Sequence, residues 1–119
     1  MSDYGHHPTE IRLTLEAIKQ KYPDKKLFVA FQPHQHSRTR ELLSDFITAF
    51  DAADELIIPD IYFSRDSDED VAYMTVERFV GSLKTRYPAV QNGNGLANTL
   101  SAIQKYNQEN PNSAVIVLL

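Results

Sequence analysis

The sequence predicts an α/β fold, a mostly parallel sheet flanked by helices on both faces. Three observations carry this. The runs Leu27-Phe28-Val29-Ala30-Phe31, Leu56-Ile57-Ile58 and Ala114-Val115-Ile116-Val117-Leu118-Leu119 are continuously apolar, the pattern of strands buried on both sides. Between them lie stretches whose apolar residues recur at helical spacing. The two kinds of stretch alternate, as parallel strands joined by helical crossovers require. At 119 residues the chain forms one domain with a substantial core.

Taken in order, residues 8–21 predict a helix, with Ile11, Leu15 and Ile18 on one face and Lys19 and Lys21 in the last turn, where cations are favoured. Pro8 suits the first helical position, where its missing N–H costs nothing, and Glu10 suits the positive helix end. Tyr22-Pro23-Asp24-Lys25 is a turn into the first strand, 27–31, which Pro33 stops. A second helix is expected over 38–50, burying Leu42, Leu43, Phe46, Ile47 and Phe50. The second strand, 55–58, is expected to continue after Pro59 through Ile61-Tyr62-Phe63. Residues 64–72 are polar and acidic and read as an exposed loop.

A third helix over 76–86 follows, capped by Thr75 and burying Phe79, Val80 and Leu83. A small strand over 89–91 leads through the turn Asn92-Gly93-Asn94-Gly95 into a fourth helix over 96–107. Pro111-Asn112 breaks that helix before the last strand, 114–119. Because the sequence stops within this buried strand, the reading is of a piece cut from a longer protein.

Bulk properties narrow the partners. A formal net charge of −4 argues against a nucleic-acid or anionic-membrane surface. The sequence has no cysteine, which removes disulfides and thiolate metal sites. No apolar run approaches the ~18 residues of a membrane span, so the cytoplasm is the expected location.

In open α/β sheets ligands gather at the carboxyl ends of strands. The loop Gln32-Pro33-His34-Gln35-His36-Ser37-Arg38-Thr39-Arg40 leaves the first strand there. Two arginines at the start of a helix oppose its dipole, so either a bound carboxylate or phosphate, or solvent and nearby acids, must offset them. Residues two apart point in different directions, so a single site uses only one of the pair. The other conspicuous stretch is Asp3-Tyr4-Gly5-His6-His7-Pro8-Thr9-Glu10, which places two imidazoles beside the free N–H groups of a helix start, a ready anion site.

His6, His7, His34 and His36 are metal-ligating types, but no carboxylate stands at familiar ligand spacing, and no metal site is expected. Asp66-Ser67-Asp68-Glu69-Asp70 with Glu77 mimics a calcium loop. Val71, however, occupies the position where the sharp turn requires glycine, so the run reads as a solvated loop. Gly93 and Gly95 lack the lysine and spacing of a P-loop.

Asp-Tyr-Gly-His-His-Pro-Thr-Glu at 3–10, Ala30-Phe31-Gln32-Pro33-His34, Ser37-Arg38-Thr39-Arg40 and Asp60-Ile61-Tyr62 together resemble the C-terminal domain of the Mur ligase family, in its UDP-N-acetylmuramate–L-alanine ligase branch. The resemblance spans essentially the whole of 1–119. It implies a Rossmann-like domain that closes over a site shared with the N-terminal and central domains of a three-domain cytoplasmic enzyme of peptidoglycan synthesis. ATP and Mg2+ would be held by the central domain. ATP would phosphorylate the muramoyl carboxylate of UDP-N-acetylmuramate, and L-alanine would attack the acyl phosphate.

By motif position Asp3 would hold the nucleotide ribose, and Tyr4 and His6 would line the region between nucleotide and amino acid. His34 and Arg38 would face the alanine carboxylate or the acyl phosphate, and His7 would cap the helix. Gln35 stands where the family usually has Arg, and His36 where an aromatic or hydroxyl residue is common. The family's glycine-rich loop after the final strand is absent. Gln35 motivates one alternative, a related ligase that adds a peptide or another amino acid; a second is a non-enzymatic α/β module that uses Arg38 and the histidines to bind a small anion.

Overall fold

The structure is a computed structural model that describes residues 7–62 and 66–119. The chain runs α1 (Pro8–Lys21), β1 (Lys26–Ala30), α2 (His36–Glu41), α3 (Leu43–Phe46), β2 (Glu55–Ile58), α4 (Asp68–Tyr73), α5 (Val76–Lys84), β3 (Gln91–Asn92), α6 (Leu96–Glu109) and β4 (Ala114–Leu118). The sheet has the order β3-β2-β1-β4, with every pairing parallel. The central strand is β1, with Val29 opposite Leu56 on one side and Val117 on the other.

Side-chain alternation divides the core. Leu27, Val29, Phe31, Leu56 and Ile58 face α1, α3, the turns after α3, and α5 through Ile11, Leu15, Phe46, Phe50, Phe79 and Leu83. Phe28, Ala30 and Ile57 face the opposite way, onto Tyr106 of α6, with Phe28 and Tyr106 rings 4.5 Å apart. The crossovers explain the division. The connections β1 to β2 and β2 to β3 step in one direction with their helices on one face. The return from β3 to β4 crosses back over the sheet, so its helix lies on the other face. The strand order therefore reverses between β1 and β4, the switch point where ligands bind in such sheets.

Most expected elements are present, with four corrections. The helix expected over 38–50 divides into α2 and α3, because Leu42 adopts φ −102°, ψ 13°. Beyond α3 the turns tighten, with Thr48 N donating to Asp45 O and Ala49 N to Phe46 O, yet Phe46 and Phe50 are buried as the apolar spacing requires. The second strand does not continue over Ile61 and Tyr62. Pro59 offers no N–H to the ladder, and among the described residues only an isolated bridge between Tyr62 and His34 remains; Phe63 lies outside them.

The acidic stretch contains a helix, α4, rather than loop throughout. Ser67 Oγ accepts from Asp70 N and donates to Asp70 Oδ2, and three acids occupy the first turn where the dipole favours them. Finally, the small strand falls at Gln91–Asn92 rather than 89–91, with Val90 buried just before it.

The amino end of the sheet is pinned by two carboxylates. Asp54 Oδ2 accepts from Leu27 N at 2.7 Å and from Lys19 Nζ at 2.9 Å, tying the end of α1 to the start of β1. Burial pushes the Asp54 carboxyl up, but Lys19 and the Leu27 N–H outweigh it and hold it below its ordinary value. Asp51 accepts two hydrogen bonds from Arg86 and one from the Tyr87 hydroxyl, each 2.7 Å. The Arg86 hydrogen bond holds Asp51 below the usual 3.8 despite some burial. Tyr87 is pushed up to about 12 by burial and by Asp51.

Two outcomes are expected. A carboxyl depressed in the folded state stabilises above its unfolded value, and that contribution is lost as pH falls through the folded value. The urea midpoint should therefore fall as pH drops below 3.8, and Asp51→Asn should flatten that fall. At the other end of the sheet, a β-carbon on Gly93 would land on Thr99 Oγ1 and 3.1 Å from Pro59 Cα. Gly93→Ala should cost about 1–3 kcal/mol in urea unfolding.

Candidate functional site

The carboxyl edge of the sheet is built from the chain leaving β1 and the chain leaving β2. Beyond Ala30 the backbone runs through Gln32 and Pro33 to α2, and beyond Ile58 it runs through Asp60 to Tyr62. Two backbone hydrogen bonds fasten these segments: Tyr62 N donates to Pro33 O and Gln35 N donates to Tyr62 O, each 2.8 Å. The His34 and Tyr62 rings pair at 5.3 Å, and Gln32 Nε2 donates to Asp60 Oδ1. Phe31 N donates to Ile57 O, and Gln32 N to Leu119 O beside the switch point.

Gln35 turns the chain into α2. Its φ of 73° lies in the region that β-carbons disfavour, at a cost of order 1–3 kcal/mol. The surroundings enforce it, since Gln35 O accepts both Thr39 N and the buried Thr39 Oγ1 at the helix start.

The short helix α2 is then clasped by α4 and its flanks. Ser37 N donates to Asp66 Oδ1 at 2.8 Å. His36 Nδ1 lies 2.6 Å from Met74 O, and because a carbonyl only accepts, that nitrogen carries the proton. Arg40 bonds Asp70 at 3.0 Å, lies 3.7 Å from Glu69 and stacks over the Tyr73 ring at 4.0 Å.

The two arginines thus part ways. Arg40 is offset by acids and an aromatic face within the fold. Arg38 is exposed and makes no ion pair among the described residues. His34 is also exposed, on the segment between β1 and α2.

The start of α1 lies against α3 and the turn that follows it, where Pro8, Thr9 and Arg12 line a depression with Asp45, Thr48 and Ala49. Lys19, near the end of α1, is bonded to Lys25 O and Asp54 at the amino ends of β1 and β2, so α1 runs back from the opposite edge. His7 caps it, Nδ1 accepting Thr9 N at 3.1 Å, with Pro8 in the first turn. Asp3, Tyr4 and His6 lie outside the described residues. Of the expected site residues the structure therefore describes His34 and Arg38, joined through one short segment. Among the described residues no three His, Asp or Glu side chains converge as a metal-ligand set.

The family model for the Mur ligase, glutamate ligase domain, matches residues 1–118. The chain belongs to the Mur ligase family. Among curated relatives, a UDP-N-acetylmuramate–L-alanine ligase of Caldanaerobacter subterraneus subsp. tengcongensis is 55% identical over 71 residues, 60% of this chain and 15% of that protein. A protein of the same name from Trichlorobacter lovleyi is 47% identical over 78 residues, 66% of this chain and 17% of its own. The crystal structure of UDP-N-acetylmuramate-alanine ligase MurC from Thermotoga maritima superposes with a TM-score of 0.59, covering 98% of this chain and 22% of that one. At 22% identity this last likeness is one of fold. This Mur ligase chain matches about 15% of the length of such curated relatives.

Gln32, Asp60 and Tyr62 shape the edge of this Mur ligase domain and were not expected as site residues. The available signal was Asp60 itself, a charged residue directly after a buried strand at the edge where ligands bind. The two arginines give a contrast in stability. Arg40→Ala should lower the urea unfolding free energy by about 1–2 kcal/mol through loss of the Asp70 pair and the Tyr73 contact. Arg38→Ala should shift it by less than about 0.5 kcal/mol.

Proposed function

We propose that this chain is the C-terminal domain of an ATP-dependent ligase that joins L-alanine to UDP-N-acetylmuramate in peptidoglycan synthesis. The observation that carries the reading is Arg38, a permanent cation left unpaired among the described residues at the carboxyl edge of a domain whose relatives bear that ligase name. A guanidinium offers a planar fork matched to a carboxylate or phosphate. His34 stands near it on the same segment. In this reading Arg38 and His34 receive the amino-acid carboxylate or the acyl phosphate. Asp3 and Tyr4 serve the nucleotide, and His6 lines the space between.

ATP supplies the phosphoryl group that activates the muramoyl carboxylate. The 119 residues contain no Gly-x-x-x-x-Gly-Lys-Ser/Thr run, so phosphate and Mg2+ binding are assigned to the enzyme's other domains. What this domain contributes is positioning and closure. A wall of fixed side chains meets the nucleotide-bearing wall and excludes water from a hydrolysable intermediate. Gln35 favours one second reading, a ligase of the same type acting on another amino acid, because a neutral amide stands where the family usually carries Arg.

In the full-length protein, phosphate release should require ATP, UDP-N-acetylmuramate and L-alanine together, and amino-acid competition should rank L-alanine first. A preference for another amino acid supports the second reading instead. Arg38→Ala should raise the KM for the amino acid roughly 10- to 100-fold, the worth of a hydrogen bond to a charged group. The isolated 119-residue chain should not turn over ATP.

A further inference from the structure

We propose that Asp60 receives the α-ammonium group of the amino-acid substrate while Arg38 receives its carboxylate. The inference rests on the ligase reading above and extends it to a residue that reading does not use. Asp60 follows β2 by two positions, so it stands at the carboxyl edge beside the exit of β1. Its side chain is half-buried, and Gln32 Nε2, on the chain leaving β1, donates to Oδ1. That partner is neutral. No lysine, arginine or histidine pairs with Asp60 among the described residues, and Oδ2 has no hydrogen bond there.

Burial makes an unpaired carboxylate costly, and here the Gln32 amide orients Asp60 without neutralising it. Arg38 presents the complementary case, a cation with no ion pair among the described residues. The segments bearing the two are joined by the reciprocal bonds among Pro33, Tyr62 and Gln35, so their charges are carried on one fixed unit. An amino acid is a zwitterion and satisfies both charges at once. A simple anion would satisfy only Arg38.

The isosteric change Asp60→Asn tests this in the full-length enzyme, because the amide oxygen still accepts from Gln32 and only the charge is lost. The KM for L-alanine should rise roughly 10- to 100-fold while the KM values for ATP and UDP-N-acetylmuramate hold. Propanoate, which has the carboxylate but no ammonium group, supplies a second readout. The parent enzyme should bind L-alanine far more tightly than propanoate as a competitive ligand, and the Asn variant should lose most of that margin.

An Asn variant that retains both the alanine KM and the margin overturns the assignment while the ligase reading stands. A parent enzyme without amino-acid-dependent phosphate release takes both down together. Should the Asn variant lose its fold, Gln32→Ala decides. It keeps the charge but frees the carboxylate, and a selective rise in the alanine KM supports the assignment, whereas an unchanged KM refutes it.

Discussion

The parallel pairing of β1 with strands on both sides is the constraint from which the rest follows. Because β1 is bonded to β2 and β4 in the same direction, every connection must leave from one edge and return to the other. Phe28 and Val29 are buried on opposite faces, and each alternate residue of β1 is committed to a different layer of helices. A shift of one residue would move each set into the wrong layer, so the register is strongly specified. The edge where β1 and β2 end is fixed by the same pairing. The two connections that form the site begin from backbone whose position is not negotiable.

The division of labour between the two sheet edges is chemical as well as topological. At the amino edge two carboxylates are satisfied internally: Asp54 by Lys19 and the Leu27 N–H, Asp51 by Arg86 and Tyr87. At the carboxyl edge Arg40 is likewise answered by Asp70, but Arg38 and Asp60 have no charged partner among the described residues. The two charges left without a charged partner at the carboxyl edge, Arg38 and Asp60, are of opposite sign.

Much of this was legible in the sequence, for reasons that can be named. The strands were readable because they are apolar throughout, and α1 and α5 because their caps are explicit: Pro8 after His7, and Thr75 accepting from Arg78 N. What escaped was local chemistry that acts through distant partners. The acidic run at 66–70 reads as solvated until Ser67 and Asp70 are seen as a capping pair. It reads as structural only when Arg40 and Ser37 are brought against it by the fold. The break at Leu42 has no comparable signal, since the apolar spacing through Phe46 and Phe50 is preserved across it. At the site, Arg38 could be picked out by its unfavourable place in a helix start. Asp60 could not be joined to Gln32, because that contact exists only once β1 and β2 lie side by side.

The left-handed backbone at Gln35 has a consequence for how such a domain diversifies. Glutamine and arginine are both unbranched at the β-carbon and meet a similar steric penalty at a φ of 73°, so replacing an arginine by a glutamine there leaves the turn no harder to form. The backbone of this corner therefore sets no preference between those two side chains. A position of this kind can change its chemistry from one descendant to the next without disturbing the architecture that displays it.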